Sequence, residues 1–146
     1  MHNPIQSLLA LKTSRLHTVD VTANVSEAVK VMNDNKVGSV IVLEQGRLIG
    51  IFTERDVLCR VVATERNPRK TSIDQVMTKK VFTVQPDTTV EETMALITDR
   101  CCRHLPVLDQ DQLIGMISSG DVTRWIAQAN QTEADMLRSY INGNYG

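Results

Sequence analysis

Two stretches of this chain carry one pattern of residues able to hold a small polar ligand: Gly50-Ile51-Phe52-Thr53-Glu54-Arg55-Asp56 and Gly115-Met116-Ile117-Ser118-Ser119-Gly120-Asp121. In each, an apolar strand leads to a hydroxyl residue, and a carboxylate follows three residues later. One reading is local. Thr53 or Ser118 caps a helix and the Asp answers as its reciprocal partner, a capping box. The other reading uses the same geometry for recognition. A helix N-terminus offers free amides and the positive end of a dipole, which suit a phosphate, and the hydroxyl adds a donor. A carboxylate one turn in can accept bonds from two neighbouring hydroxyls, such as a ribose edge presents. The two readings are compatible, and repetition after identical Leu-Ile-Gly lead-ins favours the second.

The repetition extends well beyond these residues. Slid against itself by 65 residues, the chain matches residues 18–62 to 83–127 at thirteen of 45 positions without a gap. Ordinary composition would supply about two or three by chance. The chain is therefore a duplication, and each copy must position its own hydroxyl-acid pair. A short extended stretch (His17 to Val19; Phe82 to Val84) leads to a first helix, with Val25, Ala28, Val29 and Met32, or Val90, Met94 and Ile97, at helical spacing. An apolar strand follows (Val40 to Leu43; Leu105 to Leu108). A tight polar turn (Glu44 to Arg47; Asp109 to Gln112) then makes a hairpin to Leu48–Phe52 or Leu113–Ile117. A second helix starts at Glu54 or Ser119. One β-α-β-β-α unit cannot cover both faces of its small sheet, so the expected fold is α/β (α+β), with two units packed sheet to sheet about a pseudo-two-fold axis. The expected division is a first repeat with its N-terminal segment at 1–66, a second repeat at 67–129 and a helical tail at 130–146. Arg66-Asn67-Pro68-Arg69-Lys70 reads as the linker. In the tail, Met136, Leu137, Tyr140 and Ile141 form an apolar stripe expected to pack on the body or on a partner chain, and Asn142-Gly143 is the expected stop.

Composition narrows the function. The 146 residues carry 16 Lys+Arg against 17 Asp+Glu, and only 3% are aromatic, so neither a broad basic surface nor base-stacking platforms point to nucleic acid. Apolar runs are too short for a membrane span, and the N-terminus lacks the pattern of an export signal. Cys59, Cys101 and Cys102 form neither an even framework nor a C-x-x-C pair, which suits a reduced, cytoplasmic setting. His2, His17 and His104 are scattered, with no metal-ligand spacing. Cys102-Arg103-His104 could suggest a thiolate beside cations, yet no acid–base partner is evident, and no Gly-rich phosphate loop is present. No catalytic set, metal or catalytic cofactor is expected. Trp125, which matches Arg60 in the first copy, reads as a packing or dimer residue.

Across residues 8–127 the chain resembles a tandem pair of CBS domains, the Bateman module. The residues that carry the likeness are Gly50…Thr53…Asp56 and Gly115…Ser118…Asp121, with Val40-Ile41-Val42 and Leu105-Pro106-Val107 before the hairpins. The tail Leu137–Gly143 is similar to the ending of short stand-alone CBS-pair proteins. The resemblance implies a non-catalytic, energy-sensing module that binds AMP, ADP or ATP across the copies. The acid would contact ribose hydroxyls, the Thr or Ser the ribose or phosphate, and the backbone before each first strand the adenine. One site would join Thr53, Arg55 and Asp56 to Lys79, Lys80, Val81, Arg103 and His104. The other would join Ser118 and Asp121 to Ser14, Arg15, Leu16, Gly38 and Ser39. The Asp56 site gathers more positive charge and is expected to bind more tightly. The resemblance also implies a homodimer, a flat disc of four repeats joined largely by the helices starting near Glu54 and Ser119, and an unidentified regulated partner. Alternatives are an interaction module that regulates a partner such as a redox enzyme without a nucleotide, or a pocket for S-adenosylmethionine or NAD(H).

Overall fold

The computed structural model describes residues 2–12 and 16–142. Each copy begins its helical part with a polar cap. Asn24 accepts from the Glu27 N–H at the start of α2 (Val25–Asn35), and Thr89 with Glu92 forms a capping box at the start of α4 (Val90–Arg100). Both helices end on a residue in the left-handed region, Lys36 and Cys101, which lie 65 positions apart. The hairpins β2–β3 (Ser39–Glu44, Arg47–Thr53) and β4–β5 (His104–Asp109, Gln112–Ser118) share one register and one irregularity, after Val42 and after Val107. Their two-residue turns place Gln45-Gly46 and Gln110-Asp111 at positive φ, the geometry that follows the natural twist of a hairpin.

The first copy adds β1 (Thr18–Asp20) parallel to β2, giving the order β1-β2-β3. The second copy reduces this strand to a single parallel bridge, Val84 to Val107. The closing helices differ more. In the first copy, α3 (Glu54–Asp56) continues as a π-helical stretch, Val57–Val62, with the Ala63 N–H reaching back to the Leu58 carbonyl. In the second, α5 runs unbroken from Ser119 to Ile141, so the expected tail is the far half of the closing helix. On its stripe, Met136, Leu137, Tyr140 and Ile141 are all largely exposed rather than buried in either core. The helix ends at Ile141 with Asn142 as its cap, and Gly143 lies outside the described residues. No helix among the described residues is long and apolar enough to cross a membrane.

Two cores form, one per copy, and each borrows its last wall. Val19, Val25, Ala28, Val40, Val42 and Phe52 are closed over by Ile73, Val76 and Met77, from the segment that leads into the second copy. Val84, Val90, Leu105, Val107 and Ile117 are closed over by Ile5 and Leu8, from α1 (Ile5–Leu11), which precedes the first copy. Matching backbone bonds pin these arms: the Ile73 N–H to the Ala23 carbonyl, and the Ile5 N–H to the Thr88 carbonyl. The sequence groups the N-terminal segment with the first copy, whereas its apolar face packs on the second. The arm is reached through space, so linear spacing carries no trace of it.

Candidate functional site

Both hydroxyl-acid pairs are capping boxes. The Thr53 N–H donates to Asp56 Oδ2 at 3.1 Å, and the Asp56 N–H donates to Thr53 Oγ1 at 3.2 Å. The Ser118 N–H donates to Asp121 Oδ2 at 2.8 Å, and the Asp121 N–H to Ser118 Oγ at 3.1 Å. The local reading is thus correct as far as it goes, but each carboxylate has oxygen lone pairs left over.

What takes them up comes from the exchanged arms. The Thr78 hydroxyl, immediately before Lys79-Lys80-Val81, lies 3.1 Å from both oxygens of Asp56. Lys12 Nζ donates to Asp121 Oδ2 at 2.9 Å and to the Met116 carbonyl at 2.7 Å. Each acid also has an arginine on its own helix. Arg60 Nε stands 3.6 Å from Asp56 Oδ1, and Arg124 bonds Asp121 Oδ1. Arg60 further donates to the Met77 carbonyl at 2.7 Å, tying the arm to the helix. Asp56 is 5% exposed. For Asp121, burial pushes the carboxyl up, but the Ser118 N–H and Lys12 outweigh it and hold the group below its ordinary value.

The remaining residues singled out from the sequence divide as follows. Arg55, Lys79, Lys80 and Arg103 are exposed, and Val81 and Leu16 are half-buried. Lys80 and Arg100 both stack on the Phe82 ring, at 5.8 and 5.3 Å from its centre. The Gly38 carbonyl accepts from the Glu54 N–H at 3.0 Å, and the Arg103 carbonyl from the Ser119 N–H at 2.8 Å. The backbones of Gly38 and Arg103 therefore sit beside their own copy's helix start. The side chains that follow look across. Ser39 Oγ lies 3.8 Å from Met116 Sδ of the second copy, and the half-buried His104 feels Glu54 of the first copy as well as Lys12, Arg103 and Asp121. Burial and the Lys12 charge lower the His104 pKa. Ser14 and Arg15 lie outside the described residues. Beside Asp121, a cleft of about 350 Å³ opens between α1 and α5, lined by Leu8, Leu11, Lys12, Arg124, Trp125 and Gln128.

Four residues that contact the two acids are not among those expected from the sequence: Lys12, Thr78, Arg60 and Arg124. The arginines were detectable, since residues three or four positions after an acid share its helix face. Lys12 and Thr78 were not, because their positions depend on the arm exchange. The cysteines are free; burial raises the Cys102 pKa and so disfavours its thiolate.

The sequence pattern of the CBS domain matches twice, at residues 10–63 and 73–128. The chain belongs to the CBS-domain family. It is similar to CBS domain-containing protein CBSX3, mitochondrial, of Arabidopsis thaliana, with 40% identity over 126 residues covering 83% of this chain and 61% of that one. The chain thus spans about three-fifths of its plant relative's length. A solved structure of a protein with CBS domains from Burkholderia ambifaria is 36% identical, with a TM-score of 0.82 over 85% of this chain and 93% of that one. A CBS domain protein of Pyrobaculum aerophilum, complexed with AMP, shares the fold at 20% identity and a TM-score of 0.74, over 82% of this chain and 89% of that one. CBS pairs are in general regulatory, non-catalytic modules.

Proposed function

We propose that this CBS pair senses an adenine nucleotide, AMP, ADP or ATP, bound in the crevices between its copies, and relays the occupancy to a partner protein as a homodimer. One observation carries the reading: each helix-start acid accepts a hydrogen bond from the segment that leads into the other copy's first strand. A nucleoside whose ribose replaces those donors would have its base against that segment and its phosphate at the helix N-terminus. The exposed cations Arg55 and Lys79, neighbours in sequence of Asp56 and of its partner Thr78, have no ion-pair partner among the described residues, which favours this crevice for the phosphates. A cytoplasmic setting belongs to the same proposal and rests on the three free thiols.

Calorimetry with AMP and ATP tests it. Asp56→Asn keeps an acceptor for the helix cap but removes the charge and one oxygen that ribose hydroxyls would use. It should weaken binding at least tenfold, about 1.4 kcal/mol. An unchanged isotherm sinks the assignment.

A second reading has its own support. Asp56 is almost fully buried, with Thr53, Thr78 and Arg60 around its oxygens, as in a structural joint of an interaction module. A thermal-shift screen with AMP, ADP, ATP, NADH and S-adenosylmethionine separates the readings. A true ligand raises stability by RT ln(1 + [L]/Kd), so a micromolar binder at millimolar dose adds about 4 kcal/mol. A flat response to all five favours the interaction module.

A further inference from the structure

The geometry points to Lys12 as a built-in occupant of the Asp121 crevice, a charged competitor for the carboxylate where the arm at Asp56 supplies only a neutral hydroxyl. The inference rests on the proposed role of the two acids as ribose acceptors and names how one of them is regulated.

The two acids differ in what the crossing arm brings them. At Asp56, the arm's contribution is a neutral hydroxyl, Thr78 Oγ1, at 3.1 Å. A ribose diol offers the same chemistry, O–H donors to a carboxylate, so exchange of Thr78 for ligand is close to balanced. At Asp121, the arm's contribution is an ammonium at 2.9 Å, anchored a second time on the Met116 carbonyl at 2.7 Å. Both contacts gain from the ionised carboxylate, but at Asp121 the donor also carries a full positive charge and adds its direct attraction. Side-chain exposure is only 23% for Lys12 and 11% for Asp121, so solvent screens the pair weakly. With the Ser118 N–H on the same oxygen and Arg124 on the other, Asp121 is already served by three donors, two of them cationic. A neutral diol that displaces Lys12 removes a charge from a half-buried carboxylate and leaves the ammonium without its anion. Lys12 therefore adds to the difference in charge between the two sites in setting which fills first.

The arms explain why only one copy carries this device. Leu9 packs against Gly115 as Met77 packs against Gly50. Thr78 directly follows Met77, whereas Lys12 lies three residues past Leu9, at the end of the extra helical turn of α1. A long side chain then spans what a short one covers at the other site.

The test counts binding sites by calorimetry with AMP on the full chain, comparing the wild type with Lys12→Ala and Lys12→Thr, neither of which reaches Asp121 with a charge. Each variant should gain one site per chain relative to the wild type, from one to two. Asp121→Asn added to Lys12→Ala should remove the gained site and leave the first. Two sites in the wild type, or no gain in either folded variant, overturns the inference. A wild type with no site whose Lys12→Ala variant has one would sustain it while refuting the reading of Asp56.

Discussion

Glycines 50 and 115 occupy the same position in the two copies, yet adding a methyl group to each should have unequal effects. At Gly50 a new Cβ would stand 2.5 Å from Met77 Sδ and 3.0 Å from the Thr78 carbonyl oxygen. The thioether can rotate away; the carbonyl cannot, because it accepts the Ile51 N–H at 3.0 Å while the Thr78 N–H donates to the Ile51 carbonyl at 2.8 Å. At Gly115 the nearest atom is Leu9 Cδ2, the tip of a flexible side chain, at 2.8 Å, with nothing else within 3.4 Å. Overpacking against a fixed wall costs about 1–3 kcal/mol. Replacing glycine by alanine recovers about 0.4–1 kcal/mol through the unfolded chain. Gly50→Ala should thus lose about 1–2 kcal/mol net, and Gly115→Ala should stay within about 0.5 kcal/mol of the parent. At about 4 °C per kcal/mol for a chain of this size, Tm should fall by about 4–8 °C in the first and about 2 °C or less in the second. Differential scanning calorimetry with urea midpoints reads both. Equal shifts, or a larger one for Gly115→Ala, would refute the claim that backbone on one side and a side-chain tip on the other decide the outcome. The strain falls on the residue whose hydroxyl contacts Asp56, so Gly50→Ala should also weaken AMP binding while Gly115→Ala leaves it intact.

Asp121 titrates below its ordinary value in the folded chain, so its contribution is present above pH 4 or so and is lost as pH falls through the folded pKa. Lys12→Met should move that loss to higher pH in urea titrations; identical acid limbs would contradict it. His104 is also lowered, by burial first and Lys12 next, so the unfolded chain takes up its proton more readily and stability should decline as pH drops below about 6.5. NMR titration should find the His104 pKa raised in Lys12→Met, and no movement would disprove the Lys12 influence. Thr89→Ala removes the hydroxyl half of the α4 capping box, leaving the backbone N–H of residue 89 on the Glu92 carboxylate, and should cost about 1 kcal/mol in chemical denaturation; an unaltered midpoint would mean the lost acceptor is replaced by water.

Much of this architecture is legible in the residues themselves, because the duplication reports each element twice. Strand, turn and helix starts came from local chemistry: Thr53, Thr89 and Ser118 are caps because their side chains accept from the third amide onward. The hydroxyl-acid pairs were visible for the same reason. What stayed hidden depends on contacts distant in sequence. Ile5 and Ile73 are plain apolar residues until the arms are seen to cross, and Lys12 is an ordinary surface lysine until α1 brings it to a residue 109 positions away. The π-helical turn after Asp56 was equally unreadable, since Val57–Val62 has no residue that forbids an α-helix. Arg60 holds the Met77 carbonyl across that turn, a tertiary contact that local propensity does not report.

The crossed arms bear on ancestry and on dissection. A single-copy forebear with the same arm would have lacked a lid for its own core and would have lent that arm to a twin, making a dimer whose halves exchange their ends. Carried on one chain, that exchange is an encounter within a molecule, at an effective concentration no dilution can lower. Separated at the 66/67 junction today, neither half would retain the wall that closes its own core; mixed, each would restore the other's.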